Sequence, residues 1–186
     1  MPLNIPDGTT NDISFGPGRL FIGAYGAGGT TPTVDVGYIS EDGVTVEITN
    51  ESKDIMQGNP KLVEYTFSQA QGVNVSLTSI EWDFDNFVWA LGSGASSADS
   101  AAKEFKYGGD PLMTQVSIKV EHQMAVTGQT MNVYCWKAVS NGGITAAFGA
   151  DEHSFEMSFK LQRCATNWGG GTLDSKQQLL AFYRAI

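Results

Sequence analysis

The chain has 186 residues, of which 41% are hydrophobic, 11% aromatic and 17% charged, a composition typical of a globular domain and not of a disordered segment. Its 20 Asp and Glu residues outnumber 11 Lys and Arg residues, so the formal net charge is −9. Because tight binding to a phosphate backbone requires clustered Lys and Arg, this balance argues against a nucleic-acid-binding protein.

The chain opens with a polar segment, residues 1–18, that contains three prolines and is expected to form an extended arm. It shows neither the basic start nor the apolar run of an export signal, and no run of 18 apolar residues occurs anywhere. We therefore expect a protein of the reducing cytosol with two free thiols, Cys135 and Cys164.

The first half of the chain reads as short strands. Residues 19–25 and 34–39 are strand candidates, and the segments VTVEIT, LVEYTF and GVNVSLT each alternate apolar and polar residues, which predicts half-buried strands. Between VTVEIT and LVEYTF the polar segment ESKDIMQGNP predicts a loop over residues 50–60.

One stretch, TSIEWDFDNFVWALG at residues 78–92, breaks this rhythm and predicts an amphipathic helix. Thr78 and Glu81 have the spacing of a capping box, and Gly92 is a natural C-terminal stop. The apolar stripe expected to pack against the sheets consists of Ile80, Phe84, Phe87, Val88 and Leu91.

The second half continues the strand pattern after a long connection of small residues, 92–111. TMNVYCWKAV is apolar on both faces and predicts a central strand, whereas HSFEMSFKLQR alternates cleanly. The C-terminal LDSKQQLLAFYRAI fits either a short helix that buries Leu179, Leu180 and Tyr183 or a strand. The whole chain, 1–186, is thus predicted to be a single, mainly β domain of two packed antiparallel sheets, sandwich- or barrel-like, with one flanking α-helix.

No catalytic or cofactor motif assembles from these residues. GAYGAGGTTP is rich in glycine but lacks the Lys and the helix of a phosphate-binding loop. His122, His153, Cys135 and Cys164 lie far apart in the sequence, unlike paired zinc ligands. No nucleophile, base and orienting group can be named together, so we expect no enzyme activity, no cofactor and no metal.

The order of elements from Val36 to Gly92 resembles the major tail tube protein of long-tailed bacteriophages and, more loosely, the tube protein of type VI secretion. The resemblance covers VGYISEDGVTVEIT, the ESKDIMQGNP loop, the strand pair in LVEYTFSQAQGVNVSLTS and the acidic helix that ends in ALG, about a third of the chain. It implies a virion structural protein, made in the host cytoplasm, whose hexameric rings stack into a hollow tube.

Within that family the long loop early in the chain reaches the neighbouring ring. The resemblance therefore implies contacts from residues 50–60, with residues 1–18 and 92–111 as further stacking elements. The inter-ring candidates are Glu51, Lys53, Asp54, Gln57 and Asn59. The implied partners are other copies of the chain and the tape measure, tail terminator and distal tail or baseplate proteins, with DNA passing through without tight binding and no membrane involved.

An acidic bore would repel DNA and keep it sliding. Glu47, Glu64 and Glu156 lie on the polar faces of good strands and are the lumen candidates, although the period leaves open whether those faces point to the bore or to outside solvent. The alternative function is a β-sandwich binding or virion-decoration module, which exposed tryptophans at Trp82, Trp136 or Trp168 would favour.

Overall fold

The computed structural model describes residues 18–26, 31–98, 102–109, 112–123, 129–145 and 153–184. Ten strands and one α-helix occur in these ranges: β1 (Arg19–Ala24), β2 (Val34–Asp35), β3 (Ile39–Gln57), β4 (Leu62–Ser79), α1 (Phe84–Leu91), β5 (Ala95–Ala98), β6 (Lys103–Lys106), β7 (Gln115–Gln123), β8 (Thr130–Ser140), β9 (Phe155–Leu161) and β10 (Leu180–Arg184). No helix in the described ranges has the length and apolarity needed to cross a membrane.

Eight strands form one antiparallel sheet in the order β2-β1-β7-β8-β9-β4-β3, with β10 paired to β8 beside β9. Strands β5 and β6 form a separate two-stranded sheet. The predicted fold class is confirmed: the protein is mainly β and antiparallel with one flanking helix, and its two sheets are very unequal in size. β8 lies at the centre, as predicted, because β7 pairs with one of its edges and β9 and β10 share the other.

The large sheet curls around one apolar core. Side chains from five strands meet in a single cluster, and β1 at one end of the sheet contacts β3 at the other. Strand β9 shows why the sequence folds this way: its alternation places Phe155, Met157, Phe159 and Leu161 inside and leaves Glu156 and Lys160 exposed. The cleanest sequence pattern is thus a strand with one core face and one solvent face.

The helix closes the open side of this curled sheet but begins later than the sequence predicted. Ser79 still pairs within the sheet, and the helix starts at Phe84 with Asp83 as its N-cap, whose carboxylate accepts a hydrogen bond of 3.2 Å from the Asp85 amide. The capping box of Thr78 and Glu81 is therefore wrong, because sheet pairing holds the backbone at Thr78 extended.

The predicted helix stripe is partly correct. Phe87 is buried and meets Phe155 with ring centroids 4.9 Å apart, and Phe84 packs against the same core. Val88 and Leu91 are only half-buried, and Ile80 precedes the helix. The other buried helical residues, Asn86 and Ala90, were absent from the predicted stripe.

The predicted long connection over 92–111 is wrong at residues 95–98 and 103–106, which form two paired strands. Gly92 ends the helix with a left-handed φ of 65°, and the β5–β6 hairpin follows at once. Phe105 of β6 covers the helix, with its ring 5.7 Å from that of Phe87. A single aromatic residue anchors an otherwise small and polar hairpin, which is too little apolar patterning to signal a strand. Residues 99–101 and 110–111 lie outside the described ranges.

The strand alternative is correct for the end of the C-terminal segment, and the helix that would bury Leu179, Leu180 and Tyr183 is wrong, because these residues lie in or beside β10. A 3-10 turn at Ser175–Gln177, capped by the Asp174 carboxylate, leads into β10. Leu179 and Leu180 are half-buried, but Tyr183 is 43% exposed, so its predicted burial is wrong. The loop before this turn covers a small second core, which consists of Trp136, Cys164, Trp168, Leu173 and Ala181.

Candidate assembly surface

The most prominent surface feature is the distal part of the β3–β4 hairpin. β9 pairs with β4 only from Asn74 to Ser79, whereas β3 and β4 continue to pair with each other as far as Gln57 and Leu62. Every residue from 47 to 71 is exposed. We call residues 48–71 the hairpin arm, a two-stranded ribbon that leaves the body of the domain.

Two sequence predictions fail in the hairpin arm. Residues 50–60 are not a loop, because β3 runs through Gln57 and the turn occupies only 58–61, with Gly58 at a φ of 93°. LVEYTF and GVNVSLT are not two strands but one, β4, and its distal part is exposed where half-burial was expected. A ribbon with solvent on both sides needs no alternation of apolar and polar residues, so the alternation in the sequence did not predict the full length of its strands.

Two irregularities in β4 determine which way its side chains point. Ala70 and Ser68 of β4 pair with the consecutive β3 residues Glu51 and Ser52, which leaves Gln69 as an extra residue. Tyr65 and Val63 likewise pair with Ile55 and Met56, which leaves Glu64 as an extra residue. Each shift reverses the alternation of β4 relative to β3. The predicted common face of Val63, Tyr65 and Phe67 is therefore divided, because Val63 pairs with Met56 on the other side.

One side of the hairpin arm is apolar along its middle. Ile55 lies directly opposite Tyr65, and Phe67 lies opposite Lys53 on the same side. Ile55, Tyr65 and Phe67 are 46%, 65% and 37% exposed. We call Ile55, Tyr65 and Phe67 the apolar side of the arm.

The opposite side of the hairpin arm is polar along the same length. The Thr66 hydroxyl donates to the Asp54 carboxylate over 2.6 Å, and the Ser68 hydroxyl donates to the Asn50 side-chain oxygen over 2.5 Å. Ser52 pairs with Ser68 between these bonds. The arm is therefore amphipathic. Cross-strand hydrogen bonds between side chains stabilise its register on one side, and apolar side chains are exposed on the other.

The predicted inter-ring residues all fall on this arm. Glu51, Lys53, Asp54 and Gln57 are exposed residues of β3, and Asn59 lies in the turn. All five are polar residues, and Ile55, Tyr65 and Phe67 are not among them, because LVEYTF is interpreted from the sequence as a half-buried strand.

The three predicted lumen residues do not lie together. Glu47 and Glu156 are on the exposed polar side of the β3-β4-β9 part of the sheet, among Thr, Ser and Asn side chains, and Glu47 is 3.5 Å from the Asn74 amide. Lys160 shares this side, opposite Asn74. Glu64 is the extra residue near the end of the arm, away from both other glutamates.

The tryptophans do not form an exposed binding face. Trp136 and Trp168 are buried in the second core, and their rings meet with centroids 4.9 Å apart. Trp82 is half-buried and packs edge-on against Phe87. The remaining tryptophan, Trp89, packs against the main core. The exposed tryptophans that would favour a carbohydrate-binding module are thus not observed.

The chemistry available in the described part of the chain is limited. Both cysteines are free and buried. Burial raises the pKa of the Cys135 thiol from 9.0 to about 12, and Cys164 accepts or donates a 3.5 Å contact with the Tyr25 hydroxyl. Among the described residues, no group of three or more His, Cys, Asp and Glu side chains has the arrangement to hold a metal ion.

Comparisons with known proteins add no further assignment: no protein-family model matches the chain, and no curated protein is significantly similar to it. A proposal about function is therefore based on the surfaces described above.

Proposed function

We propose that this chain is a structural subunit that assembles into rings of six identical copies, stacked into a hollow tube like that of a bacteriophage tail. The observation that carries the proposal is the hairpin arm, a paired ribbon outside the body of the domain with large apolar side chains exposed along it. Exposed apolar surface of this kind marks a protein interaction site, and an unprotected long edge strand invites pairing.

The exposed apolar residues are sufficient in number to drive association. Seven large ones lie on the arm: Ile48, Ile55, Met56, Leu62, Val63, Tyr65 and Phe67. Full burial of a fully exposed side chain of this kind contributes roughly 1.5–3 kcal/mol. Because these side chains are 37–66% exposed, about half of that remains to be gained from each. Association costs roughly 4–15 kcal/mol in lost freedom, so burial of most of one arm against a neighbour is of the same order as that cost, and cyclic symmetry repeats the contact for every copy.

The remaining features fit the same function. The polar side of β3, β4 and β9 carries Ser, Thr, Asn and Glu side chains that can line a water-filled bore, and the net charge of −9 repels DNA in transit. In a tail, the ends of such a tube would contact a tape measure protein, a terminator and distal tail or baseplate proteins.

Sedimentation velocity and negative-stain microscopy over increasing protein concentration test the proposal. The wild-type chain should form rings or tubes. A variant in which an Asn-Gly turn replaces residues 51–70 joins the paired residues Asn50 and Gln71 and removes most of the arm. Because the removed residues contribute nothing to either core, this variant should keep its melting temperature and lose from its circular dichroism spectrum only the β-sheet signal of the removed ribbon, but it should stay monomeric.

Two results would overturn the proposal. One is a wild-type chain that remains monomeric at high concentration across a range of salt concentrations. The other is an arm-shortened variant that forms the same rings or tubes as the wild type.

A further inference from the structure

The structure contains a cleft at the root of the hairpin arm, where β3 and β4 leave the body. Its volume is about 610 Å³, within the roughly 300–1,000 Å³ that is typical of binding pockets. The arm root contributes one wall through Ile48 and Val73, and the segment that connects the 3-10 turn to β10 contributes the other through Leu179 and Leu180. The cleft thus has apolar side chains on both walls, and Thr, Asn, Gln, Ser, Arg and Lys side chains make up most of the rest of its lining.

The polar rim of the cleft is cationic. Arg163 and Lys176 line it, and no acidic side chain does so among the described residues. The Arg163 guanidinium donates from Nε to the Gln178 side-chain oxygen over 2.5 Å, which fixes its position at the rim. On a chain with 20 acidic and 11 basic residues, this is a local departure from the overall negative charge.

The arm of the same molecule cannot fill this cleft. Tyr65 is seven residues from Gly72 at the root, which corresponds to roughly 23 Å along an extended strand. In the structure the ribbon leaves the body with Tyr65 65% exposed, so its apolar side does not fold back onto the cleft. A filling arm must come from a second copy.

We propose that the apolar side of the arm of one copy docks into the arm-root cleft of the next copy, an inference that rests on the proposed assembly of this chain. Ile55, Tyr65 and Phe67 meet the apolar walls of the cleft. Glu51 lies on this same side of the arm, where its carboxylate can pair with the cationic rim, and the flexible side chain of Lys53 on that side can extend into solvent.

Arm and cleft are different surfaces, so the contact is head-to-tail. Every copy then offers one arm and one cleft, and the contact propagates from copy to copy. Such contacts close into rings or continue as stacked filaments, depending on the rotation between neighbours.

A charge-swap experiment tests this contact. Tyr65→Lys places a cation on the apolar side of the arm, opposite the cationic rim, and Lys176→Glu places an anion in the cleft, opposite Glu51. Each variant should raise the protein concentration needed for assembly by about tenfold or more, the scale of a residue at the centre of an interface. Light scattering against concentration measures this threshold, and circular dichroism verifies that each variant is folded.

An equimolar mixture of the two variants should recover assembly to within about threefold of the wild type, because lysine-bearing arms then meet glutamate-bearing clefts. The matched controls are Ser52→Lys, on the polar side of the same arm, and Lys106→Glu, on β6; both should assemble like the wild type.

The outcomes separate this inference from the proposed function. If the wild type assembles but Lys176→Glu assembles equally well, or if the mixture shows no recovery, the arm docks elsewhere and only the inference fails. If the wild type does not assemble under any condition, both fail.

Discussion

At the scale of single residues, Asn86 links the helix to the sheet. Its side-chain amide donates to the Val36 carbonyl over 2.9 Å, and the residue is only 4% exposed. Asn86→Ala leaves a buried carbonyl without this donor, so it should lower the free energy of unfolding by about 1–3 kcal/mol. Urea denaturation at a protein concentration below that of assembly measures the change.

Asn74→Ala provides the matched control for Asn86→Ala. Its amide makes only a 3.5 Å contact with Glu47 on the solvent side of the sheet, so its loss should change the free energy of unfolding by less than about 0.5 kcal/mol. Equal effects of the two substitutions would contradict the role of the buried hydrogen bond.

Cys135 is predicted to be chemically silent in the folded state. It is fully buried, and burial raises the pKa of its thiol to about 12. In a Cys164→Ala variant, a disulfide reagent at pH 8 should label Cys135 only after denaturation. Rapid labelling of the native protein, with the rate seen in denaturant, would contradict the burial.

The same shift has a defined sign for stability. Because the pKa of the Cys135 thiol is about 12 when folded and 9.0 when unperturbed, its contribution to the free energy of unfolding is fully present below pH 9. It is lost as the pH rises from about 9 towards about 12. Alkaline denaturation of the Cys164→Ala variant, compared with the Cys135→Ala, Cys164→Ala double variant, measures this contribution.

The sequence predicted apolar residues better than polar ones at this scale. Alternation in β9 identified Phe155, Met157, Phe159 and Leu161 correctly. It could not identify Asn86, because a stripe of apolar side chains has no place for an amide whose partner, the Val36 carbonyl, lies 50 residues away. A hydrogen bond between residues far apart in the sequence produces no periodic pattern in that sequence.

At the scale of elements, the start of the helix distinguishes the two capping models. Asp83 accepts from the Asp85 amide, so Asp83→Ala should lower the free energy of unfolding by about 1 kcal/mol. Asp83→Asn retains a capping oxygen and loses only an exposed 3.4 Å ion pair with Lys103, so its effect should stay below about 1 kcal/mol and smaller than that of alanine.

Thr78→Val completes this comparison because it removes the hydroxyl of the supposed capping box and preserves the branched shape that a strand favours. Thr78 lies in β4, paired with Glu156, so the substitution should change the urea midpoint little. A loss larger than that of Asp83→Ala would restore the capping box.

The elements that the sequence missed have a common cause. The β5–β6 hairpin and the distal part of β3 lack alternation, because neither lies with one face on the main core. In the arm, the extra residues Glu64 and Gln69 reverse the direction of β4 side chains, which no periodic template anticipates. The alternation of the sequence therefore does not predict the arm, where apolar residues remain exposed.

At the scale of the whole molecule, the curled sheet has a core side, closed by the helix, and a polar side on β3, β4 and β9. The polar side has no exposed large apolar residue within the body of these strands, which suits a surface that stays in contact with water after assembly. The β5–β6 hairpin lies across the helix, on the other side of the core. If the polar side lines the bore, this hairpin faces the outside of the tube.

Gold labelling of assembled tubes tests this orientation. Because Cys135 and Cys164 are buried, a single cysteine at an exposed position is the only thiol expected to react with a maleimide-linked gold cluster. Glu156→Cys should place gold along the central axis of the tube in electron micrographs, since Glu156 lies on the polar side of β9. Ser97→Cys, on the exposed β5, is the matched control and should place gold on the outer wall. Gold on the outer wall for Glu156→Cys would mean that the polar side faces outside solvent and that another surface lines the bore.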